Sequence, residues 1–449
     1  MKLGSAQARN LRPNLRNFFY LVISGLTIQL AGSVYRLWLA NRIGAEGLGI
    51  LQMVYPVYRL LSGLATLGLP LALTKWSAEY LAAGRFLEVK SLIKWAVRLV
   101  SVSSMITGLA LFCFAPSLGQ FVFTDGRVTE ALYMIALAIP FSALSAVYRG
   151  YFQGHLRMAP LAASELTEQT VEIGFTFFLL SCFFNQLPFS HGTTPVLGLT
   201  LGEVTCLVTL LCFRKNAPPN ALAQAPPISV PALPRREVLQ YSWPLLLNQI
   251  ISSVSMASEG IIIPRLLMAG GIPAAVSTGL FGQLTGMAEP VSYFPLILLA
   301  PLASVLSPQV SSALQIGALG RMKKKIRLFY MVTLILCLAC FLGIMSLAGP
   351  ISLILYGSAA SAPLIRLLVI GLPFTGIAIL NISILGAAGA TAKILLISVW
   401  AMGLKAFCFA VLIPLEGITG AAWAINITQI FLALESMVEL RRKLPAPGA

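Results

Sequence analysis

Residues 321–348 read Arg321-Met-Lys-Lys-Lys-Ile-Arg-Leu-Phe-Tyr-Met-Val-Thr-Leu-Ile-Leu-Cys-Leu-Ala-Cys-Phe-Leu-Gly-Ile-Met-Ser-Leu-Ala348. A basic cluster opens the stretch, and from Ile326 to Ala348 the only charge is Arg327. A helix of about 20 apolar residues crosses roughly 30 Å of hydrocarbon, so the run predicts a membrane span. Runs of this kind recur along the whole chain, without the period-two alternation of barrel strands. Composition agrees: 57% of residues are hydrophobic, 10% are charged, and mean hydropathy is +0.86. Soluble domains carry roughly 25% charged residues. The spans are expected at about 17–39, 48–73, 92–114, 129–150, 159–184, 195–213, 238–267, 276–304, 326–348, 362–385, 393–412 and 418–438. The fold class is therefore all-α and polytopic, with about twelve transmembrane helices.

The net charge of +16 is distributed as a topology signal. Basic residues gather in the N-terminal arm (Lys2, Arg9, Arg12, Arg16) and in alternate connections: Lys75 to Lys94, Arg149 to Arg157, Arg214 to Arg236, and Arg321 to Arg327. Lys393 and the tail Arg441, Arg442 and Lys443 continue the series, while the intervening connections hold only Arg42 and Arg127. This positive-inside bias predicts cytoplasmic termini, and it argues against a basic nucleic-acid groove. The N-terminal arm resembles a signal-peptide n-region, but the long apolar run and missing cleavage motif predict a retained first helix.

Residues 214–236 are Pro-rich and polar, as expected of a connector between two halves. The halves share a faint repeat at an offset near 233. Leu48-Gly49-Ile50-Leu51 matches Phe281-Gly282-Gln283-Leu284, and Ile139-Pro140-Phe141 matches Leu372-Pro373-Phe374. Arg36 and Arg265 correspond when a gap is allowed. Six spans per half, both starting on one side, make the repeats parallel. The expected division is an arm 1–16, a six-helix bundle 17–213, a cytoplasmic linker 214–237, a second bundle 238–440 and a tail 441–449.

Enzyme chemistry finds little support. No phosphate-binding G-x-x-x-x-G-K-[ST] loop occurs, and the two histidines, His155 and His191, form no metal-ligand spacing with the seven cysteines. Cys337 and Cys340 form a C-x-x-C inside an apolar run, where small-residue packing is the simpler reading. Asp125 is the one aspartate, and the acids of the outer connections are scattered. No catalysis, metal or cofactor is expected.

Charges inside spans carry the functional signal, because each costs about 2.5–3.5 kcal/mol at a helix centre on insertion scales. Arg59 lies mid-span. Arg36 and Arg265 lie toward the outer ends of their spans, where snorkelling to the interface remains an alternative. An Arg fork suits a diphosphate, so the three are the candidate substrate-binding residues. Glu165, Glu168 and Glu172 recur at i, i+3 and i+7 on one helical face. With Glu259 and Glu289 they are candidates for ion coupling or charge pairing; Arg98 and Arg149 are the nearby partners for the first three. Pro56 and Pro290 occupy related helices of the two halves and are candidate hinges.

Gly44-Ala-Glu-Gly-Leu-Gly-Ile-Leu-Gln-Met-Val-Tyr-Pro-Val-Tyr58 followed by Gly68-Leu-Pro-Leu-Ala-Leu-Thr-Lys75 resembles the stage V sporulation protein B family. Ile263-Pro-Arg-Leu-Leu267 and Gly279-Leu-Phe-Gly-Gln-Leu-Thr-Gly-Met287 share that resemblance. The family comprises polysaccharide exporters of the MOP (MATE-like) flippase superfamily and is related to lipid II flippases. The resemblance implies a MATE-like fold with a central cavity and transport of a lipid-linked saccharide of the undecaprenyl-diphosphate type across the bacterial plasma membrane. It also implies arginines in that cavity, a placement that Arg36, Arg59 and Arg265 fit, and an acid at the position of Glu259. Lipid II flippases carry two further C-terminal helices that this sequence does not reach, which favours the sporulation and polysaccharide branch. The expected partners are the saccharide lipid, membrane lipid and proteins of cell-wall synthesis; the oligomeric state is open. Two competing readings are a cation-coupled multidrug exporter of the same fold and a non-transporting scaffold for envelope synthesis.

Overall fold

Gly44, with φ of 70°, kinks the first helix, α1 (Ser5–Thr66), and so divides its length into two spans. A side chain at that φ would press Cβ toward the following carbonyl, a penalty that glycine avoids. A second break follows at Leu67 and Gly68, both at positive φ, before α2 (Leu69–Ala82) continues the path. The computed structural model describes residues 5–82, 85–123, 125–155, 157–183, 192–215, 235–299, 310 and 319–443. The connector at 216–234 lies outside those residues, as do Gly84, His191, Pro301, Gly317 and the last six positions.

The chain continues as α3 (Phe86–Ser117), α4 (Arg127–Gly154), α5 (Met158–Cys182), α6 (Thr194–Lys215) and α7 (Arg235–Ala269). Next come α8 (Ala274–Gly282), a π-helical turn Gln283–Ala288, and α9 (Glu289–Ser292). The rest are α10 (Leu319–Tyr356), α11 (Ala362–Val369), α12 (Leu372–Ala387), α13 (Thr391–Glu416) and α14 (Ile418–Lys443). No strand occurs among the described residues. Eight described helices are long and apolar enough to span a membrane, and the bent pair α11–α12 makes a ninth. Dividing α1 at Gly44, and adding the Glu-bearing α5 and the broken α8–α9 segment, brings the spans to about twelve. In α10 only 11% of the apolar window is buried, with Ile335, Leu342 and Ile354 exposed. An apolar helix exposed on most faces fits hydrocarbon as its solvent. The chain is a multi-pass membrane protein.

Contacts group the chain into two units, Met1–Tyr35 with Met53–Ala257, and Arg36–Gln52 with Ser258–Ala449. In the first, Gly198 and Gly202 of α6 lie against α5. A Cβ on Gly198 would sit 2.1 Å from Thr176 Oγ1, and one on Gly202 would sit 2.9 Å from the Glu168 carbonyl. This small-xxx-small spacing lets two membrane helices approach closely.

In the second unit the start of the second span crosses α8. A Cβ on Gly49 would lie 2.1 Å from the Thr278 carbonyl oxygen, and one on Gly282 would lie 1.9 Å from the Ala45 carbonyl oxygen. Beside this crossing Pro290, having no N–H, cannot donate to Thr285, five positions back across the π turn, and Glu289 N–H bonds Leu284 instead. Gln52 Nε2 donates to the Thr285 carbonyl at 3.2 Å, supplying the missing donor.

Candidate functional site: two intramembrane charge networks

The glycine contact between α5 and α6 brings Glu168 and Glu172 of α5 against α6. Glu168 forms an ion pair with Arg149 of α4, whose guanidinium also donates to Cys206 Sγ at 3.0 Å. Glu203 of α6 is only 5% exposed and accepts a hydrogen bond from the Tyr58 hydroxyl, itself 2.9 Å from Ser142 Oγ. Its second carboxylate oxygen is buried with no hydrogen-bond partner among the described residues. Burying a carboxylate costs several kcal/mol unless charge and hydrogen bonds offset it, so these partners hold the acid in place. The buried Tyr35 of α1 lies in the field of Glu172, one turn beyond Glu168. Glu165 is half-buried in the field of Arg149, while Arg98 is exposed and forms no ion pair with a described residue.

Ligating atoms of Glu168, Glu203 and Cys206 lie within 4.8 Å of one another, a separation compatible with a metal ion. The Arg149 guanidinium already bonds two of the three. A fixed organic cation thus supplies the positive charge that a metal would bring, and the trio reads as a charge network.

The second network belongs to the other unit. Lys405 of α13 donates to Glu259 of α7 at 2.5 Å, and both side chains are largely buried. Glu289, at the start of α9, lies in the field of Glu259, Lys405 and Arg36. Two acids and two bases thus share one region at zero formal net charge. Glu259 is a candidate on sequence grounds, whereas Lys405, inside the expected span 393–412, is brought to it only by the fold. The available clue was a pair of opposite charges, each deep in an apolar run. Glu203 also lies deep in an apolar run, but its partner Tyr58 carries no charge to advertise it.

The three candidate arginines are exposed. Arg36 and Arg265 fall in the second unit and Arg59 in the first. Arg59 makes no ion pair or hydrogen bond with any described residue. Pro56 lies within α1 in helical conformation, between the breaks at Gly44 and Leu67–Gly68. Pro290 follows the π-helical turn, and the helix passes into a 3-10 turn at Phe294–Leu298.

A family model described as polysaccharide biosynthesis protein matches residues 14–314. Stage V sporulation protein B of Bacillus subtilis (strain 168) is 28% identical over 364 residues, spanning 79% of this chain and 69% of that protein. The lipid II flippase MurJ of the same organism is 25% identical over 367 residues, spanning 78% and 67%. Among solved structures, an inward-facing multidrug resistance transporter of the MATE family and MOP superfamily superposes with a TM-score of 0.74. It covers 95% of this chain and 98% of its own at 15% identity. A MOP superfamily transporter from Pyrococcus furiosus superposes at 0.65, covering 95% of each chain at 14% identity. These structures establish a MATE-like fold, and the activities named among these relatives are those of a flippase and of transporters rather than of enzymes.

Proposed function

Because the chain belongs to the polysaccharide biosynthesis protein family, we propose that it is a flippase of the MOP type for a lipid-linked saccharide. The substrate class is an undecaprenyl-diphosphate precursor of peptidoglycan or another polysaccharide, moved across the bacterial plasma membrane by alternating access of the two halves. The observation that carries this reading is Arg59, an exposed guanidinium mid-helix with no carboxylate or carbonyl assigned to it among the described residues. In hydrocarbon such a group needs an anion or water, and a diphosphate offers paired acceptor oxygens matched to its fork. Arg36 and Arg265, at related positions of the repeat, are the further candidate residues for binding an anionic headgroup. The 28% and 25% identities to stage V sporulation protein B and a lipid II flippase support the choice of substrate class. The positive-inside bias supports cytoplasmic termini. A cysteine placed at Lys324 should then react with an impermeant maleimide only after cells are permeabilised.

Headgroup flipping in proteoliposomes with fluorescent undecaprenyl-diphosphate saccharides tests the function. A charge-assisted hydrogen bond contributes about 1.5–3 kcal/mol, so Arg59→Ala should lower transport roughly 10- to 100-fold without changing insertion. A cation-coupled exporter is the second reading, favoured by the buried Glu203 and the half-buried Glu168 close to it. Efflux of cationic dyes with no movement of any lipid-linked saccharide would establish it instead.

A further inference from the structure

Away from both charge networks, α13 and α14 enclose a groove of about 280 Å³. Lys393, Leu396 and Trp400 line it from α13 at helical spacing, and Phe431, Glu435 and Glu439 line it from α14. Lys393 opens α13, and Arg442 stands beside the end of α14, so the charged end of the groove coincides with one membrane interface. Trp400 is 65% exposed, seven residues or about 10 Å further along, as an interfacial indole would be. The floor at Leu396 and Phe431 is apolar. One end is therefore wet and ionic while the other is greasy, the division found in a glycerophospholipid.

The charges say which phospholipid. Arg442 and Glu439 are paired with each other at 3.5 Å. Lys393 and Glu435 are both exposed, line the same groove, and form no ion pair with each other or with any other described residue. An anionic lipid would answer Lys393 and be repelled by Glu435. A headgroup with both a phosphate and a primary ammonium answers both, the phosphate at Lys393 and the N–H donors at Glu435. We infer that this groove is a structural binding site for a phospholipid of the phosphatidylethanolamine class, separate from the transport substrate.

Native mass spectrometry of the full chain in mild detergent tests this, with phosphatidylethanolamine, phosphatidylglycerol and phosphatidylcholine of identical acyl chains. Phosphatidylethanolamine should be retained several-fold better than either other lipid. Glu435→Gln should lower its retention roughly tenfold and raise that of phosphatidylglycerol by removing the repelling carboxylate, whereas Lys393→Gln should weaken both. The added lipid should also raise the melting temperature of the native chain and not that of Glu435→Gln, a readout independent of expression level. Equal retention of phosphatidylglycerol, or indifference to Glu435→Gln, would overturn the assignment. Capture of a polypeptide rather than lipid by a photo-cross-linker at position 396 would also overturn it, making the groove a seat for a partner helix.

Discussion

Gly49 and Gly282 occupy equivalent places in the two halves and each packs on the counterpart of the other's neighbour: Gly49 on the Thr278 carbonyl and Gly282 on the Ala45 carbonyl. Ala45 stands to Thr278 as Gly49 stands to Gly282, so the crossing is symmetric with itself. Gln52 and Thr285, joined by a hydrogen bond, are related by the same 233-residue offset. A symmetric crossing of two backbones leaves no room for a side chain on either helix. Gly49→Ala and Gly282→Ala should each destabilise the protein by about 1–3 kcal/mol through forced separation. The double variant should lose less than the sum, because the first methyl already parts the helices. Gly279→Ala, with open space around its Cβ, is the control and should be neutral. Thermal unfolding in detergent reads all four; additive losses would mean that the two glycines do not share one contact.

This crossing marks how far the sequence could be read. The repeat was visible because Leu48-Gly49-Ile50-Leu51 and Phe281-Gly282-Gln283-Leu284 kept order and spacing. Nothing in linear spacing said that the repeated elements touch. The apolar runs gave the spans, since hydrocarbon thickness fixes their length, but chain breaks were harder. Gly44 and Gly68 interrupt the path through positive φ, while Pro56, the more conspicuous residue, stays helical. Charge pairs such as Glu259 with Lys405, 146 positions apart, depend on tertiary packing that no local pattern encodes.

Gln52 supplies the donor that Pro290 withholds from the Thr285 carbonyl. Gln52→Leu should leave that carbonyl unsatisfied in an apolar setting and cost about 1–3 kcal/mol. Combining it with Pro290→Ala, which restores a backbone N–H, should recover part of the loss. A melting series on the two single variants and the double would show it, and no recovery would place the Gln52 contribution elsewhere.

Glu259 and Lys405 form a largely buried ion pair. Removing one partner leaves an uncompensated charge, so Glu259→Gln or Lys405→Met alone should cost about 3–5 kcal/mol and lower the yield of folded protein. The joint replacement should be much milder. Fluorescence-detected size-exclusion profiles of the three variants distinguish a structural pair from independent sites, for which the losses would simply add.

Tyr58 and Glu203 separate a structural role from a transport role. Tyr58→Phe removes the hydroxyl donor from a carboxylate whose other oxygen is already without a partner, so it should destabilise by about 1–3 kcal/mol. Glu203→Gln keeps an acceptor for Tyr58 and removes the charge, so stability should hold or rise. If the acid serves only packing, saccharide flipping by Glu203→Gln should match the native rate at every imposed ion gradient. If the acid carries a coupling cation, the same variant should fold normally and lose the gradient dependence of transport. Measuring flipping with and without a proton or sodium gradient, on variants matched for folded protein, decides between the two.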